Sequence, residues 1–210
     1  MKLKVCGMKY IENIKSIADL SPDYLGFIFY AHSKRNFIGK IPELPEHIKK
    51  TGVFVNEELA VVIYLQKQHQ LQALQLHGDE SLAYIQELKS HISNKVELIK
   101  VVSIEDTANF EALIPFEKEI DYFLFDTKGE KRGGNVIQFD WSVLNAYPFS
   151  KPFFLSGGIG PNDAQSVKEV EKKGLPIYAV DINSKFEDKP GLKNSIQAVS
   201  YTHLTLPTKA

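Results

Sequence analysis

The chain has 210 residues, with 25 Lys+Arg against 26 Asp+Glu, a formal net charge of −1, and a single cysteine. That length can bury one substantial core. The charge balance offers no basic stripe for nucleic acid and no polybasic segment for a membrane surface, and one cysteine excludes an internal disulfide framework. The longest strongly apolar run, 24–31, is too short to span a bilayer, and no apolar signal core opens the chain. A cytoplasmic protein without nucleic-acid or membrane partners is therefore expected.

The first element is an apolar strand at 3–5 that runs into Cys6 and Gly7. A helical pattern of Tyr10, Ile11, Ile14, Ile17 and Ala18 comes at once after it. Cys6 thus ends a strand at the mouth of a βα unit, the edge where α/β folds do chemistry. Against this stands the bland alternative, since a lone cysteine is often a small buried hydrophobe. Further apolar runs at 24–29, 51–55, 73–76, 98–102, 122–125, 152–155 and 177–180 are continuous rather than alternating, as buried parallel strands are. Amphipathic stretches lie between them, at 57–69, 80–91 and 163–174, the last stopped by Gly174. The pattern counts as eight βα units in about 200 residues, the low end of a single (β/α)8 TIM barrel. A doubly wound open sheet is the alternative, but Cys6-Gly7-Met8-Lys9 is not its glycine-rich nucleotide turn.

In such a barrel, function is read from the loop after each strand. The second loop carries Arg35, whose fork can grip a carboxylate; a solvated loop arginine is the alternative. The fourth carries His77, placed for an active-site role or a plain strand-end cap, and Asp79, a candidate helix cap. The sixth carries Asp126 at the end of a very apolar strand, where desolvation favours the neutral acid over an ordinary loop aspartate. Gly133-Gly134 further on reads as a mobile lid, and Asp140 as the N-cap of the next helix. The seventh loop, Ser156-Gly157-Gly158, lets backbone approach a ligand ahead of a helix N-terminus, and the eighth carries Asn183-Ser184. Loops seven and eight are a frequent phosphate site in barrels. The eighth helix is expected from about Gly191, with Leu192, Ile196 and Val199 in register. It is shortened by the aperiodic run from Thr202, so 1–200 reads as the barrel and 201–210 as a non-native or disordered tail.

Taken together, Lys-Val-Cys-Gly-Met (4–8), Gly-Phe-Ile-Phe-Tyr…Ser-Lys-Arg (26–35), Gln-Leu-His-Gly-Asp-Glu (75–80), Phe-Asp-Thr (125–127), Leu-Ser-Gly-Gly-Ile (155–159) and Asp-Ile-Asn-Ser (181–184) resemble the phosphoribosylanthranilate isomerase family of tryptophan biosynthesis. The resemblance covers residues 2 to about 195. It implies an acid/base Amadori rearrangement, with Cys6 as general base and Asp126 as general acid. It further implies Lys4, Arg35 and His77 on the substrate, Arg35 at its anthranilate part, and Gly157, Gly158, Asn183 and Ser184 on its phosphate. A small phosphosugar substrate, no cofactor, no metal and a monomer or homodimer go with it. Two departures stand out. Asn135-Val136-Ile137 comes after the lid glycines where the family has another Gly, and Lys185 stands where many members have Gly. Another phosphosugar barrel enzyme and a non-catalytic phosphate-ligand barrel are the competing readings.

Overall fold

A computed structural model describes residues 1–105, 107–127 and 140–205. Eight parallel strands close into a barrel in chain order. They are β1 (Lys2–Val5), β2 (Tyr24–Ile28), β3 (Lys49–Phe54), β4 (Ala73–Leu76), β5 (Glu97–Ile104), β6 (Tyr122–Thr127), β7 (Phe153–Leu155) and β8 (Ile177–Ile182). β1 bonds to both β2 and β8, with Lys4 opposite Asp181 and Val5 opposite Ile182. Among the described residues, no helix is long and apolar enough to cross a membrane.

Strand alternation separates two cores. Side chains of one parity (Leu3, Val5, Leu25, Phe27, Leu74, Phe123, Phe153) pack outward beneath the helices. Those of the other (Tyr24, Ala73, Ile99, Leu124, Phe154, Ala179) fill the barrel interior. Both faces are buried, which is why the strands read as continuous apolar runs. Four of these interior positions, advanced by two residues, reach the carboxyl mouth. Ala73 leads to Gln75, Leu124 to Asp126, Phe154 to Ser156 and Ala179 to Asp181, and all four of these mouth residues line one cavity.

The covering layer is less regular than eight equal βα units. The α-helices are α1 (Ile11–Ala18), α2 (Leu59–His69), α3 (Leu82–His91), α4 (Ala164–Glu171) and α5 (Ser195–Thr205). No helix forms between β2 and β3, where Gly39, Pro42 and Pro45 interrupt the chain. Among the described residues, the connections after β5 and β6 hold only short 3-10 helices, at Glu111–Phe116, which contains Pro115, and Trp141–Ala146. Asp140 caps the latter, its carboxylate accepting from the Ser142 N–H at 2.8 Å. Asp79 does not cap α3. Ser81 does, accepting from the Tyr84 N–H at 3.2 Å, while the Asp79 N–H is held in the preceding loop by Asn56 Oδ1. Gly174 does sit just past α4, at φ +77°. The lid at Gly133-Gly134 lies outside the described residues.

The last helix differs from its expectation at both ends. It begins at Ser195, because Glu187–Lys189 (β9) and Leu192–Lys193 (β10) form an antiparallel hairpin. Leu192 is therefore a strand residue. The helix also runs on to Thr205, past the expected break at Thr202. Tyr201, expected in the tail, is fully buried and meets the Phe186 ring edge-on at 5.1 Å. Tyr201 thus belongs to the barrel's packing. Tyr201→Ala is expected to cost about 3–5 kcal/mol, the range for emptying a large aromatic site. Denaturant unfolding checks it, and a loss near zero would mean the helix end does not pack.

Candidate active site

The mouth holds an open cavity at the carboxyl face, where barrels of this kind place their active sites. Of the nine residues singled out from the sequence, eight line it: Cys6, Arg35, His77, Asp126 and, on the phosphate side, Gly157, Gly158, Asn183 and Ser184. Lys4 is the exception. It is fully buried, points into the barrel with the interior parity, and donates to Asp181 Oδ1 at 2.9 Å. Lys4 is therefore held in the interior layer with Asp181, and only its partner lines the cavity.

Cys6 continues β1, its N–H bonded to the Ile182 carbonyl at 2.9 Å. Burial pushes its thiol above the ordinary value, and the Asp181 carboxylate adds to this, while Lys4 and Lys193 pull the other way. Burial alone would lower the Lys4 ammonium, but Asp181 and the thiol hold it above its usual value. Burial raises the Asp181 carboxyl against the pull of Lys4. The thiol is thus flanked by a buried ion pair joining the first and last strands.

Gly26 makes room for it. A Cβ at Gly26 would lie 2.8 Å from Cys6 Sγ and 3.0 Å from Cys6 Cα. Gly26→Ala is expected to displace the thiol and lower kcat by about 100-fold, the scale of an ångström's misplacement. Steady-state kinetics on folded Gly26→Ala checks this; unaltered kcat would show that thiol placement is not critical.

Across the cavity, Asp126 is partly covered. Its Oδ1 accepts from the Thr127 N–H at 2.9 Å, and its Oδ2 lies 3.4 Å from His77 Nε2. His77 Nδ1 is in turn 3.0 Å from Gln75 Nε2. Gln75, His77 and Asp126 form a chain across adjacent strand ends, so His77 orients the carboxyl group.

The phosphate-side loop is built by conformation. Gly157 (φ +87°) and Gly158 (φ +65°) both occupy the left-handed region that favours glycine. The helix beyond them does not follow directly. A 3-10 turn starting at Pro161 intervenes, and the Asp163 carboxylate takes the Gly160 N–H at 2.7 Å.

Arg35 already holds a carboxylate. Its Nε donates to both oxygens of Glu187 (2.9 and 3.0 Å) and its Nη2 to Oε2 (2.7 Å). Glu187 also accepts from Lys193 (2.5 Å) and the Gly191 N–H (3.1 Å). The Lys193 side chain is fully buried, and burial lowers its ammonium to about 8 against the pull of Glu187. Asp181, Glu187 and Lys193 were not singled out as functional from the sequence. The Pro190-Gly191 dipeptide signals the turn that brings Glu187 and Lys193 together.

A closed (β/α)8 barrel with a thiol, two carboxyl groups and an imidazole converging on its carboxyl mouth defines an enzyme of the barrel class. The family described as N-(5'phosphoribosyl)anthranilate (PRA) isomerase matches residues 3–201, and the chain belongs to it. A relative from Parabacteroides distasonis, named N-(5'-phosphoribosyl)anthranilate isomerase, is 39% identical over 202 residues, covering 92% of this chain and 88% of that protein. The crystal structure of phosphoribosyl anthranilate isomerase from Thermotoga maritima is similar at a TM-score of 0.80 and 28% identity, over 98% of both chains. Another phosphoribosyl anthranilate isomerase structure, a complex with reduced 1-(o-carboxyphenylamino)-1-deoxyribulose 5-phosphate, is similar at 0.79 and 27%, over 98% of both.

Proposed function

We propose that this chain converts N-(5'-phosphoribosyl)anthranilate to 1-(2-carboxyphenylamino)-1-deoxyribulose 5-phosphate in tryptophan biosynthesis, acting in the cytoplasm as a monomer or homodimer. Family membership carries the activity. The observation that supports the assignment of roles is that Cys6 and Asp126 line one cavity from strands far apart around the barrel.

Asp126 gives a proton to the ribose ring oxygen as the C1–O bond breaks, and the anthranilate nitrogen lone pair forms a C1=N bond. Cys6, as thiolate, takes the proton from C2. The electron pair moves to C1=C2 and neutralises the nitrogen, leaving an enolamine. That enolamine becomes the ketone by losing its C2 hydroxyl proton and gaining one at C1. Arg35 holds the anthranilate carboxylate. The N–H groups of Gly157 and Gly158, with Asn183 and Ser184, hold the phosphate and so fix the sugar between acid and base. Protons only are exchanged, so the bond changes themselves call for no redox cofactor.

Fluorescence-monitored turnover of freshly prepared phosphoribosylanthranilate tests the reading. Loss of substrate fluorescence at catalytic enzyme concentration is expected. Tight binding of a product analogue without turnover would instead favour a non-catalytic barrel.

A further inference from the structure

The hairpin of β9 and β10 has no place in the proposed reaction, yet it sets two charged side chains directly behind residues that line the cavity. Opposite each other across the hairpin, Glu187 and Lys193 pair directly. Their side chains are 3% and 0% exposed. A buried pair of this kind is poor evidence for stability, since desolvation offsets its attraction. Its partners are more telling. Glu187 grips Arg35 and Lys193 grips Asn183, and both of those residues line the cavity.

Each grip fixes an orientation. Glu187 takes the Nε–Nη2 edge of the guanidinium, using two of its five N–H donors. Among the described residues no other partner engages Arg35 through the end-on edge, so three N–H donors remain for an anion in the cavity. Lys193 Nζ donates to Asn183 Oδ1 at 2.6 Å and to the Asn183 carbonyl at 3.2 Å. An ammonium has no lone pair to accept with, so it must face the amide oxygen. That leaves the NH2 group of Asn183, a residue that lines the cavity, as its donor suited to phosphate. Gly7 closes the space between the two, since a Cβ there would lie 2.6 Å from Asn183 Oδ1 and 2.8 Å from Arg35 Cδ.

We propose that Glu187 and Lys193 are positioning residues, forming with Arg35 and Asn183 one buried relay that aligns the carboxylate clamp and the phosphate side of the site together. This rests on the reading of Arg35 and Asn183 as substrate contacts. The relay explains why the arginine is tied to a protein carboxylate without being consumed by it. The substrate takes the free edge, and Glu187 sets the plane in which that edge lies.

The test is a kinetic double-mutant series on the full chain, with thermal unfolding run on every variant. Arg35→Ala and Asn183→Ala alone are expected to raise KM. Glu187→Gln and Lys193→Met are each expected to raise KM by about 10- to 100-fold, the worth of one charged contact, with the effect on kcat much smaller. Glu187→Gln added to Arg35→Ala should raise KM no further, and Lys193→Met added to Asn183→Ala likewise. Lys193→Met removes one of the two cations on the buried Glu187 carboxylate, so the charge-balanced Glu187→Gln/Lys193→Met pair is measured beside it. That pair should recover melting temperature but keep the high KM. Recovery of KM together with stability would overturn the relay, because the pair would then be merely structural. Additive losses in the double variants, or unchanged KM in Glu187→Gln and Lys193→Met, would also overturn it. If Arg35→Ala and Asn183→Ala themselves leave KM unchanged, the reading of the site fails first and the relay falls with it.

Discussion

Replacing Cys6 with alanine is expected to lower kcat by about 100- to 10,000-fold, the usual contribution of a positioned base, with KM and fold largely kept. Iodoacetamide should inactivate the wild-type protein, and a bound product analogue should protect it. The pH dependence comes from the direction of the thiol shift. Burial holds the thiol above its ordinary value of 9.0, and only the thiolate is a base. The ratio kcat/KM should therefore climb as pH passes 9.0 and level off only above it. The same shift enters stability. A thiol raised in the folded state contributes stability below 9.0 that is lost as pH rises through the folded value. Cys6→Ala should remove that part of the alkaline decline. If Cys6→Ala keeps full turnover, Cys6 is not the base. The base would then be sought at Asp181, which lines the same cavity.

Asp126→Asn is expected to reduce kcat on the same scale, about 100- to 10,000-fold. The amide keeps the shape of the carboxyl group, and its oxygen can still accept the Thr127 N–H, but it has no acidic proton to give the ring oxygen. Single-turnover measurements with saturating enzyme separate this loss of chemistry from weakened binding. Near-wild-type turnover would transfer the acid to His77, whose Nε2 stands 3.4 Å from Asp126 Oδ2.

The barrel was legible because its strands are buried on both faces. Runs such as 122–125 carry no charged residue, and only a strand covered inside and out tolerates that. Several mouth residues were legible for the same reason, since Asp126, Ser156 and Asp181, each the first polar residue after an apolar run, line the cavity. The connections were not. Prolines at 42, 45 and 115 limited helix formation where the count of eight units assumed it. Leu192 fits the spacing of Ile196 and Val199, yet Gly191, at φ +85°, turns the chain into a hairpin first. Glu187 and Lys193 look like surface charges in a sequence. Only the fold shows that they meet each other and Arg35 out of water. Lys4, placed on the substrate by the resemblance, looks in a sequence like any other charge near the mouth. Strand parity instead sends it into the barrel toward Asp181.

The seam between the first and last strands sets when this enzyme can exist during its own synthesis. Lys4 and Asp181 are 177 residues apart, and Asn13 and Lys193 are 180 apart, yet each pair is directly bonded. At ribosomal speeds of roughly 5–20 residues per second, Cys6 waits about 9 to 35 s for the carboxylate that completes its surroundings. Until then β1 has β2 on one side and an open edge on the other. A nascent chain released early would carry the thiol, Asp126 and the double glycine without the strand that closes the ring. Without β8 one edge of the first strand stays open, and the risk to such a fragment is edge-to-edge aggregation rather than slow catalysis.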